Sequence, residues 1–482
     1  MEQPMSRRWK ALTTLLASLL LAAGLATGVS SPAQASTSQF RGVNWADQRD
    51  NFVNGVLYPS GLSASDTYSS ASVVADRVVG RLYSITGANT VRIPINEPTV
   101  ANYWGTYTGA LDTALTKGNV IFAYWAYTGG RPQNTTAFNQ MWDKVVAKYG
   151  ANPNAYFEVI NEPSGYSTGD LNNMYNGWLS RYSTVPRGRV ILDGAGLAQN
   201  VPAVGNDSRL NGTLLAVHDY SFFAGYESET EWGNHIASYI GAYASRTVAT
   251  EWGGAMGPGT KNGVSFDAID YSIPSGSYMA DYIRGVSAKL RELGMGSVYW
   301  PGLRDGDWYS MTSRTGSGQN IELSLTNPSG LQRLRYSWGV GDAGSTTVEI
   351  RNVGTGWYVD GLGRTTDSAA GQGSGGTSTS QRWTVENAGS YVRLKNAVTG
   401  LYLDGAGRSS NGAEVSQRAG STATSQQWTV LTGQSRGNDV RIRNRATGLY
   451  LDGMGRTSAS AALGQWADST STNQQWRIGA AG

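Results

Sequence analysis

Short apolar runs alternate with longer amphipathic stretches over the first two thirds of the chain. The runs are rich in β-branched and aromatic residues, as is typical of strands buried on both faces. Helical spacing of apolar residues follows between them, for example in Ser70–Leu82, Thr136–Tyr149 and Ser277–Leu293. The eight runs are Phe40–Trp45, Thr90–Ile95, Asn119–Trp125, Ala155–Glu162, Arg189–Asp193, Leu214–Tyr220, Thr247–Trp252 and Gly296–Trp300. Eight such units predict an α/β fold, a (β/α)8 TIM barrel closed by a helix at Ser329–Trp338, rather than a doubly wound sheet.

The pattern changes after Trp338. Gly339–Thr347 is rich in glycine and polar residues, which predicts a flexible linker between two nearly independent domains. Beyond it a Thr-Gly-x-Tyr-x-Asp-Gly motif occurs three times, and each repeat ends in Gln-x-Trp. The motifs begin at Thr355, Thr399 and Thr447, and the closing tryptophans are Trp383, Trp428 and Trp476. Three repeats of short strands predict a closed, threefold all-β domain with one core tryptophan per repeat.

The amino terminus has the pattern of a secretory signal peptide. Basic residues precede an apolar run at Ala11–Ala26, and Ala33-Gln34-Ala35 has the small residues of a cleavage site. A membrane anchor is the alternative, but the run is short and interrupted by polar residues. The predicted organisation is therefore a signal peptide at 1–35, a barrel at 36–338, a linker at 339–347 and the repeat domain at 348–482.

Composition narrows the expected chemistry. The formal net charge is only +3, so nothing favours nucleic acid or an anionic membrane as partner. The absence of cysteine excludes disulfides and thiolate metal sites, and two histidines do not suit a multi-histidine metal site. We therefore expect no cofactor and no metal. The 16 tryptophans and 26 tyrosines of this low-charge chain fit a protein that handles uncharged sugars.

Two glutamates are the candidate catalytic residues. Asn161 and Glu162 end the fourth run, where Pro163 is expected to stop the strand, and Glu251 ends the seventh. The carboxyl ends of barrel strands form the catalytic face of this fold, so we expect the two carboxylates to face each other across one cleft. Paired carboxylates can cleave a glycosidic bond, with one as proton donor and the other as nucleophile.

The order of these motifs resembles glycoside hydrolase family 5, a group of retaining (β/α)8 enzymes. The residues that carry the resemblance are Arg92, Asn161, Glu162, His218, Tyr220, Glu251 and Trp300. The resemblance implies that Glu162 is the acid/base and Glu251 the nucleophile, kept ionised by Arg92. It also implies that Asn161 binds the sugar 2-hydroxyl, that His218 and Tyr220 orient the carboxylates, and that Trp300 stacks on a sugar ring. Where many members have a histidine after the third strand, this chain has Tyr124-Trp125-Ala126-Tyr127, so Trp125 and Tyr127 are expected to select the substrate.

Three other residues have side chains capable of catalysis but are not expected to be catalytic. Glu158 is expected on the same side of the fourth strand as Glu162, roughly 13 Å deeper in the barrel, where it would satisfy interior polar groups. Ser167 lies in a Gly-x-Ser-x-Gly sequence, but past the strand end where an esterase nucleophile would sit. His235 has no strand-end context and is expected to be an ordinary helix or loop residue.

The repeat domain resembles the ricin-type β-trefoil of carbohydrate-binding module family 13. In that family an aspartate and a following aromatic residue form each sugar pocket, which implies Asp360, Asp404 and Asp452 as sugar ligands. Only the third repeat has a tryptophan, Trp466 beside Gln465, where the others have Gly373 and Arg418. The third pocket is therefore the expected binding site, with Asp452, Trp466 and Gln465 as its sugar-binding residues.

Together the two domains resemble secreted bacterial endo-β-1,6-galactanases. The resemblance thus implies a secreted, retaining endo-β-glycanase acting on a plant cell-wall polysaccharide, with a second carbohydrate ligand on the trefoil, and we expect a monomer. Family 5 enzymes on β-glucan, xylan or mannan remain alternatives, as does a sugar-binding protein whose barrel has lost catalysis.

Overall fold

The computed structural model describes residues 37–261, 264–266, 268–274, 277–341, 347–365, 367–375, 378–388, 391–432 and 439–480. The predicted signal peptide and most of the predicted linker lie outside these ranges. Within them, no helix is of sufficient length and apolarity to traverse a bilayer.

Eight parallel strands form a closed barrel. The first barrel strand pairs with the second and the last, and each further strand pairs with its neighbours in the chain, which confirms the predicted (β/α)8 barrel. The strands are β1 Arg41–Trp45, β2 Thr90–Ile95, β3 Asn119–Tyr124, β4 Ala155–Glu158, β5 Val190–Asp193, β6 Leu214–Tyr220, β7 Thr247–Gly253 and β8 Gly296–Leu303. Nearly every strand residue is buried, because helices cover the outside and side chains fill the interior.

Helices follow the strands around the barrel. In the described part of the chain they are α1 Tyr68–Thr86, α2 Glu97–Asn102, α3 Trp104–Lys117, α4 Thr135–Tyr149, α5 Thr168–Arg181, α6 Val201–Gly205, α7 Glu229–Ile240, α8 Tyr278–Glu292 and α9 Pro328–Ser337, besides the short segment Ala195–Ala198, where Gly196 and Leu197 have non-helical backbone angles. Their apolar faces are buried against the strands, as the helical spacing predicts. Helix α9 is the predicted closing helix, and Asn327 caps it by accepting a hydrogen bond from the Gly330 amide.

Strand β4 is shorter than the sequence predicts. It ends at Glu158, whereas the apolar run continues to Glu162. Beyond Glu158 the chain still bonds to its neighbours, with Val159 donating to the Ile191 carbonyl and Asn161 to the Tyr124 carbonyl. Glu162 then adopts a φ of +48°, which turns the chain out of the ladder before Pro163 is reached. The prediction that Pro163 ends the strand is therefore wrong.

The second domain is all-β and has the predicted threefold core. Trp383, Trp428 and Trp476 are fully buried, and each indole N–H donates to a backbone carbonyl of its own repeat at 3.0 Å. Its strands are Thr347–Asn352, Tyr358–Asp360, Ser368–Ala369, Gly371–Gly373, Arg382–Ala388, Tyr391–Asn396, Tyr402–Asp404, Ala413–Glu414, Ser416–Arg418, Trp428–Thr432, Val440–Asn444, Tyr450–Asp452, Gly464–Trp466 and Trp476–Ala480.

The two domains touch through a barrel loop. Ile273, from the segment between β7 and α8, is fully buried in the hydrophobic cluster of the second domain, beside residues such as Val348 and Ile350. The same segment is bound to the barrel, because the Tyr271 amide donates to Ser329 Oγ. The domains are thus joined by packed side chains as well as by the linker, unlike the nearly independent domains that the sequence suggests.

Candidate active site

A cleft of about 640 Å³ opens at the carboxyl ends of the barrel strands. Side chains from most of the strand-end loops line it, which places polar and aromatic groups around one volume. The lining residues are Asp50, Asn51, Ala126, Tyr127, Gly130, Asn161, Glu162, Ser164, Leu197, Tyr220, Phe222, Phe223, Glu251, Thr260, Trp300, Arg304, Asp307, Trp308 and Tyr309. Both candidate glutamates are among them.

Arg92 is the buried hub beneath the cleft. Its Nε and Nη2 each donate to a carboxylate oxygen of Glu158 at 2.6 Å, a two-point contact that fixes the guanidinium plane. Nη1 donates to Glu251 at 2.5 Å and to Asn44 at 2.9 Å, while Nη2 also reaches Asn161 Oδ1 at 2.5 Å. Arg92 thereby orients Glu158, Asn161 and Glu251 at once.

Glu162 is held in one orientation from several sides. Its backbone N–H donates to Asp193 Oδ2 at 2.9 Å. Its Oε1 lies 3.0 Å from His218 Nδ1, and its Oε2 accepts a hydrogen bond from Asn51 Nδ2 at 3.1 Å. The side chain retains 17% exposure, the largest of the catalytic candidates, which leaves it open to the cleft.

His218 lies between the two candidate glutamates. Its Nδ1 is 3.0 Å from Glu162 Oε1 and 3.6 Å from Glu251 Oε2, and its Nε2 is 2.9 Å from Thr250 Oγ1. Burial lowers the pKa of His218, but the negative charges of Glu251, Glu162 and Asp193 outweigh that effect and raise it to about 9. The imidazole is therefore protonated at neutral pH.

Glu251 is more buried than Glu162 and is bound on both oxygens. Arg92 donates to Oε1, and the Tyr220 hydroxyl donates to Oε2 at 2.8 Å. Burial raises the pKa of the Glu251 carboxyl, while the charges of His218 and Arg92 oppose the rise. The expectation that Arg92 sets the protonation state of Glu251 is thus incomplete, because desolvation is the larger influence.

Among the residues that the structure describes, two triads of acidic and histidine side chains have an oxygen or nitrogen atom of each member within 4.8 Å of the others: Glu162, His218 and Glu251, and Glu158, Asp193 and His218. A metal ion could use such donors only if His218 were neutral, since a protonated imidazole has no lone pair to offer. The raised pKa of His218 and the nearby charge of Arg92 favour proton chemistry at this position.

The aromatic candidates separate into two groups. Trp300 and Tyr127 line the cleft. Trp125 does not: it is 2% exposed and packs against Trp300, with ring centroids 5.8 Å apart. The predicted sugar contact of Trp125 is therefore not available in this structure, and the side chain instead supports the ring that faces the cleft.

Sequence reasoning missed the partners of the candidate glutamates. Glu158 is buried and satisfies interior polar groups as expected, but the sequence does not identify these groups, which are Arg92, bound by its carboxylate, and His218, whose Nε2 lies 3.9 Å away. Asn51 comes from the loop after β1, more than 100 residues from Glu162, and no local motif marks it. Asp193 is the last residue of β5, so its strand-end position was the one available signal.

Neither Ser167 nor His235 is among the residues that line the cleft. Ser167 is the N-cap of α5, where its hydroxyl accepts from the Asp170 amide and donates to the Asp170 carboxylate. It does not line the cleft. His235 lies on α7 outside the cleft, with Nδ1 3.3 Å from Asp219 Oδ1.

The trefoil aspartates have structural partners. Asp360, Asp404 and Asp452 are nearly buried, and each accepts a hydrogen bond from the backbone amide two residues later. Gln381 and Gln426 also donate to Asp360 and Asp404 respectively. Each aspartate thus stabilises its own turn, which restricts its capacity to accept sugar hydroxyls.

Trp466 distinguishes the third repeat. It stands opposite Tyr450 in the strand pairing, as Gly373 stands opposite Tyr358 and Arg418 opposite Tyr402, so the three positions are structurally equivalent. The indole is 39% exposed.

Gln465 differs from this neighbour. It is fully buried and donates to the Gly405 carbonyl of the preceding repeat at 2.9 Å. The predicted sugar contact of Gln465 is therefore replaced by a contact between repeats.

Comparison with known families agrees with both domains. The family model described as cellulase (glycosyl hydrolase family 5) matches residues 59–300. The model described as ricin-type beta-trefoil lectin domain-like matches residues 335–418 and 424–482. The chain therefore carries a glycosidase domain followed by a lectin domain.

Solved structures show similarity to one domain or the other. XacCel5A is 14% identical over 62% of this chain and 98% of its own, with a TM-score of 0.43. The ricin B-like lectin of Macrolepiota procera, solved with lactose, is 23% identical over 28% of this chain and 96% of its own, with a TM-score of 0.25. An exo-beta-1,3-galactanase from Clostridium thermocellum is 23% identical over 34% of this chain and 32% of its own, with a TM-score of 0.26. No curated protein matches the chain significantly.

Proposed function

The chain belongs to glycosyl hydrolase family 5, whose model spans half of it, and from this premise we propose that it is a secreted, retaining endo-β-glycanase. The observation that carries the proposal is the convergence of Glu162 and Glu251 on His218 at the base of the cleft. Oxygen atoms of the two carboxylates lie within 4.8 Å of each other, a spacing that suits direct attack by one carboxylate better than insertion of a water molecule.

Glu162 acts as the acid/base and Glu251 as the nucleophile. In the first step Glu162 gives a proton to the glycosidic oxygen while Glu251 attacks the anomeric carbon, so the leaving sugar departs as an alcohol and a glycosyl ester forms. In the second step water gives a proton to Glu162 and attacks the anomeric carbon, which releases Glu251. The more exposed carboxylate thus exchanges protons, and the more buried one forms the covalent bond.

The surrounding residues support these roles. Arg92 and Tyr220 donate to the two oxygens of Glu251 and stabilise its charge as the ester breaks. Asn161, bound to Arg92, presents its amide to the cleft for the sugar 2-hydroxyl. Trp300 offers a ring face to the sugar at the reacting centre.

For the substrate we propose a plant cell-wall polysaccharide, with the β-1,6-galactan side chains of arabinogalactan as the specific candidate. The support is the resemblance of the two-domain arrangement to endo-β-1,6-galactanases. β-Glucan, xylan and mannan are the alternatives within the family. Release of reducing ends from a panel of these polysaccharides tests the choice, and NMR of the first anomer formed tests retention of configuration.

The matched variants are Glu162→Gln, Glu251→Gln and Glu97→Gln. Glu97 occupies the second Asn-Glu-Pro sequence of the chain, where it accepts a hydrogen bond from Tyr124. We expect Glu251→Gln to abolish turnover, Glu162→Gln to reduce it by a factor of about 10² or more, and Glu97→Gln to leave it near the wild-type rate. Activity of Glu251→Gln close to wild type would reject the assignment, and an inactive wild type would favour the non-catalytic sugar-binding alternative.

The trefoil adds a carbohydrate ligand to the proposal. A weak lectin site on the same chain raises the effective concentration of the cleft along a polymer. Trp466 is the residue we assign to that site, because an exposed indole can stack on a sugar ring. Export of the protein is proposed from the signal-peptide pattern before residue 36.

A further inference from the structure

Asp193 is a buried acid that has no part in the mechanism described above. It is the last residue of β5, and its side chain is fully buried. Its Oδ2 accepts a hydrogen bond from the Glu162 amide at 2.9 Å, while Oδ1 is buried without a hydrogen-bond partner among the described residues. A buried carboxyl group with an unpaired oxygen lowers the stability of a fold, so the chain keeps Asp193 at a cost.

The backbone of Glu162 needs a partner outside the sheet. Its φ of +48° lies in the left-handed region, a conformation that persists at a residue with a side chain only where surrounding contacts hold it. Just before it, the Asn161 amide still donates to the Tyr124 carbonyl of β3. At Glu162 the chain turns out of the ladder, and the carboxylate of Asp193 replaces a strand carbonyl as the acceptor of the backbone N–H.

Asp193 is itself held in place. The Tyr175 hydroxyl donates to the backbone carbonyl of Asp193 at 2.8 Å, which fixes the end of β5. The turn that follows β5 adds a second contact to the same segment, because the Leu197 amide donates to the Pro163 carbonyl at 3.0 Å. Hydrogen bonds from the end of β5 and from its following turn therefore hold the backbone on both sides of the Glu162 α-carbon.

The charges around Asp193 connect it to the reacting groups. Its Oδ2 lies 3.8 Å from His218 Nε2. Burial and the negative charge of Glu158 raise the pKa of the Asp193 carboxyl well above its usual value, although His218 and Arg92 oppose the rise. A buried acid with so perturbed a pKa is typical of functional sites. Asp193 is not among the residues that line the cleft, so any effect on the reaction passes through Glu162 or His218.

We propose that Asp193 is a positioning residue for the acid/base: its hydrogen bond to the Glu162 amide fixes the backbone turn that aims the Glu162 carboxyl group at the glycosidic oxygen. This inference rests on the proposed function and deepens it. The contacts of the Glu162 side chain with His218 and Asn51 then fix the remaining rotation of the carboxyl group. Loss of the backbone contact displaces the proton donor and leaves the nucleophile Glu251 with its own partners, so proton transfer suffers selectively.

Substrates that differ in their leaving group separate this role from a general structural one. A phenyl leaving group needs a proton from the enzyme, whereas a dinitrophenyl leaving group does not. The variants are Asp193→Asn, which keeps an oxygen that can accept from the Glu162 amide, and Asp193→Ala, which has none. The control is Asp219→Ala, because Asp219 is another fully buried acid near a strand end but faces His235 outside the cleft. The measured quantity is kcat/KM for each glycoside.

We expect Asp193→Ala to lower kcat/KM for the phenyl glycoside about tenfold to a hundredfold, and kcat/KM for the dinitrophenyl glycoside by less than about threefold. Asp193→Asn should stay within about threefold of wild type on both substrates, and Asp219→Ala should change both by the same factor.

Equal losses on the two substrates in Asp193→Ala would overturn the positioning role, as would an Asp193→Asn enzyme as slow as Asp193→Ala on the phenyl glycoside. If Asp193→Ala does not fold, Asp193→Val, which also lacks an acceptor and suits a strand, takes its place. A wild-type protein inactive on both glycosides would refute the proposed function instead.

Discussion

The charge of His218 gives the sharpest physical prediction. The imidazole is fully buried, which lowers its pKa, but the negative charges of Glu251, Glu162 and Asp193 outweigh burial and raise the pKa from 6.5 to about 9. The interval between these values corresponds to about 3 kcal/mol of folding free energy. Because the pKa is higher in the folded protein, this stabilisation is complete below pH 6.5 and is lost as the pH rises through 9.

Two measurements check the value. The chain has only two histidines, so NMR of isotope-labelled imidazoles yields two titration curves, and His235→Gln identifies the curve of His218. Urea unfolding of wild type and His218→Gln gives the difference in unfolding free energy at pH 6 and near pH 10. We expect that difference to decrease by about 3 kcal/mol between the two pH values.

Either of two results would refute the reasoning. A His218 that titrates at or below 6.5 would mean that burial outweighs the surrounding carboxylates. A stability difference that stays constant with pH would mean that folding leaves the pKa of His218 unchanged. The control is His235→Gln, which replaces the other histidine, beside Asp219, and leaves the carboxylate cluster around His218 intact.

The remaining predictions concern other single contacts. Asn51→Ala removes the hydrogen bond to Glu162 Oε2. We expect about tenfold slower hydrolysis of phenyl glycosides, but an unchanged rate with dinitrophenyl glycosides, whose leaving group needs no proton. Equal slowing of both substrates would contradict a positioning role for Asn51. Ile273→Ala leaves a cavity in the buried hydrophobic cluster of the trefoil. We expect urea titrations to show a free energy of unfolding lower by about 2–5 kcal/mol. A decrease below about 0.5 kcal/mol would show that this contact between the domains adds little stability. Trp466→Ala should weaken retention on immobilised polysaccharide without changing hydrolysis of soluble oligosaccharides, and Val398→Ala, another exposed apolar residue of the trefoil, is its control.

The sequence by itself determined the architecture and the identity of the central residues. Strand and helix periodicities are local properties, so eight alternating units were sufficient for the barrel, and three similar motifs for the trefoil. The candidate glutamates could be placed on one face because every parallel barrel strand ends at the same rim. These inferences needed no distances, since chain order and periodicity carry the information.

Tertiary structure alone decided what each side chain contacts. Strand β4 stops at Glu158, and the chain turns at Glu162 with a positive φ, although the apolar run continues to Glu162. Trp125 is covered by Trp300, and Asn51 reaches Glu162 from another loop. Periodicity tells which residues are apolar or end a strand, but not which loops meet above the barrel.

The pKa of His218 shows the same division. A sequence identifies the residue, but the sum of burial and surrounding charge depends on atoms brought together from distant parts of the chain. The turn at Leu197 is similar: Leu197 has a φ of +63° and its amide donates to the Pro163 carbonyl, but no local pattern in the sequence marks this conformation. Local pattern thus determined the scaffold, and long-range packing determined the chemistry of the cleft.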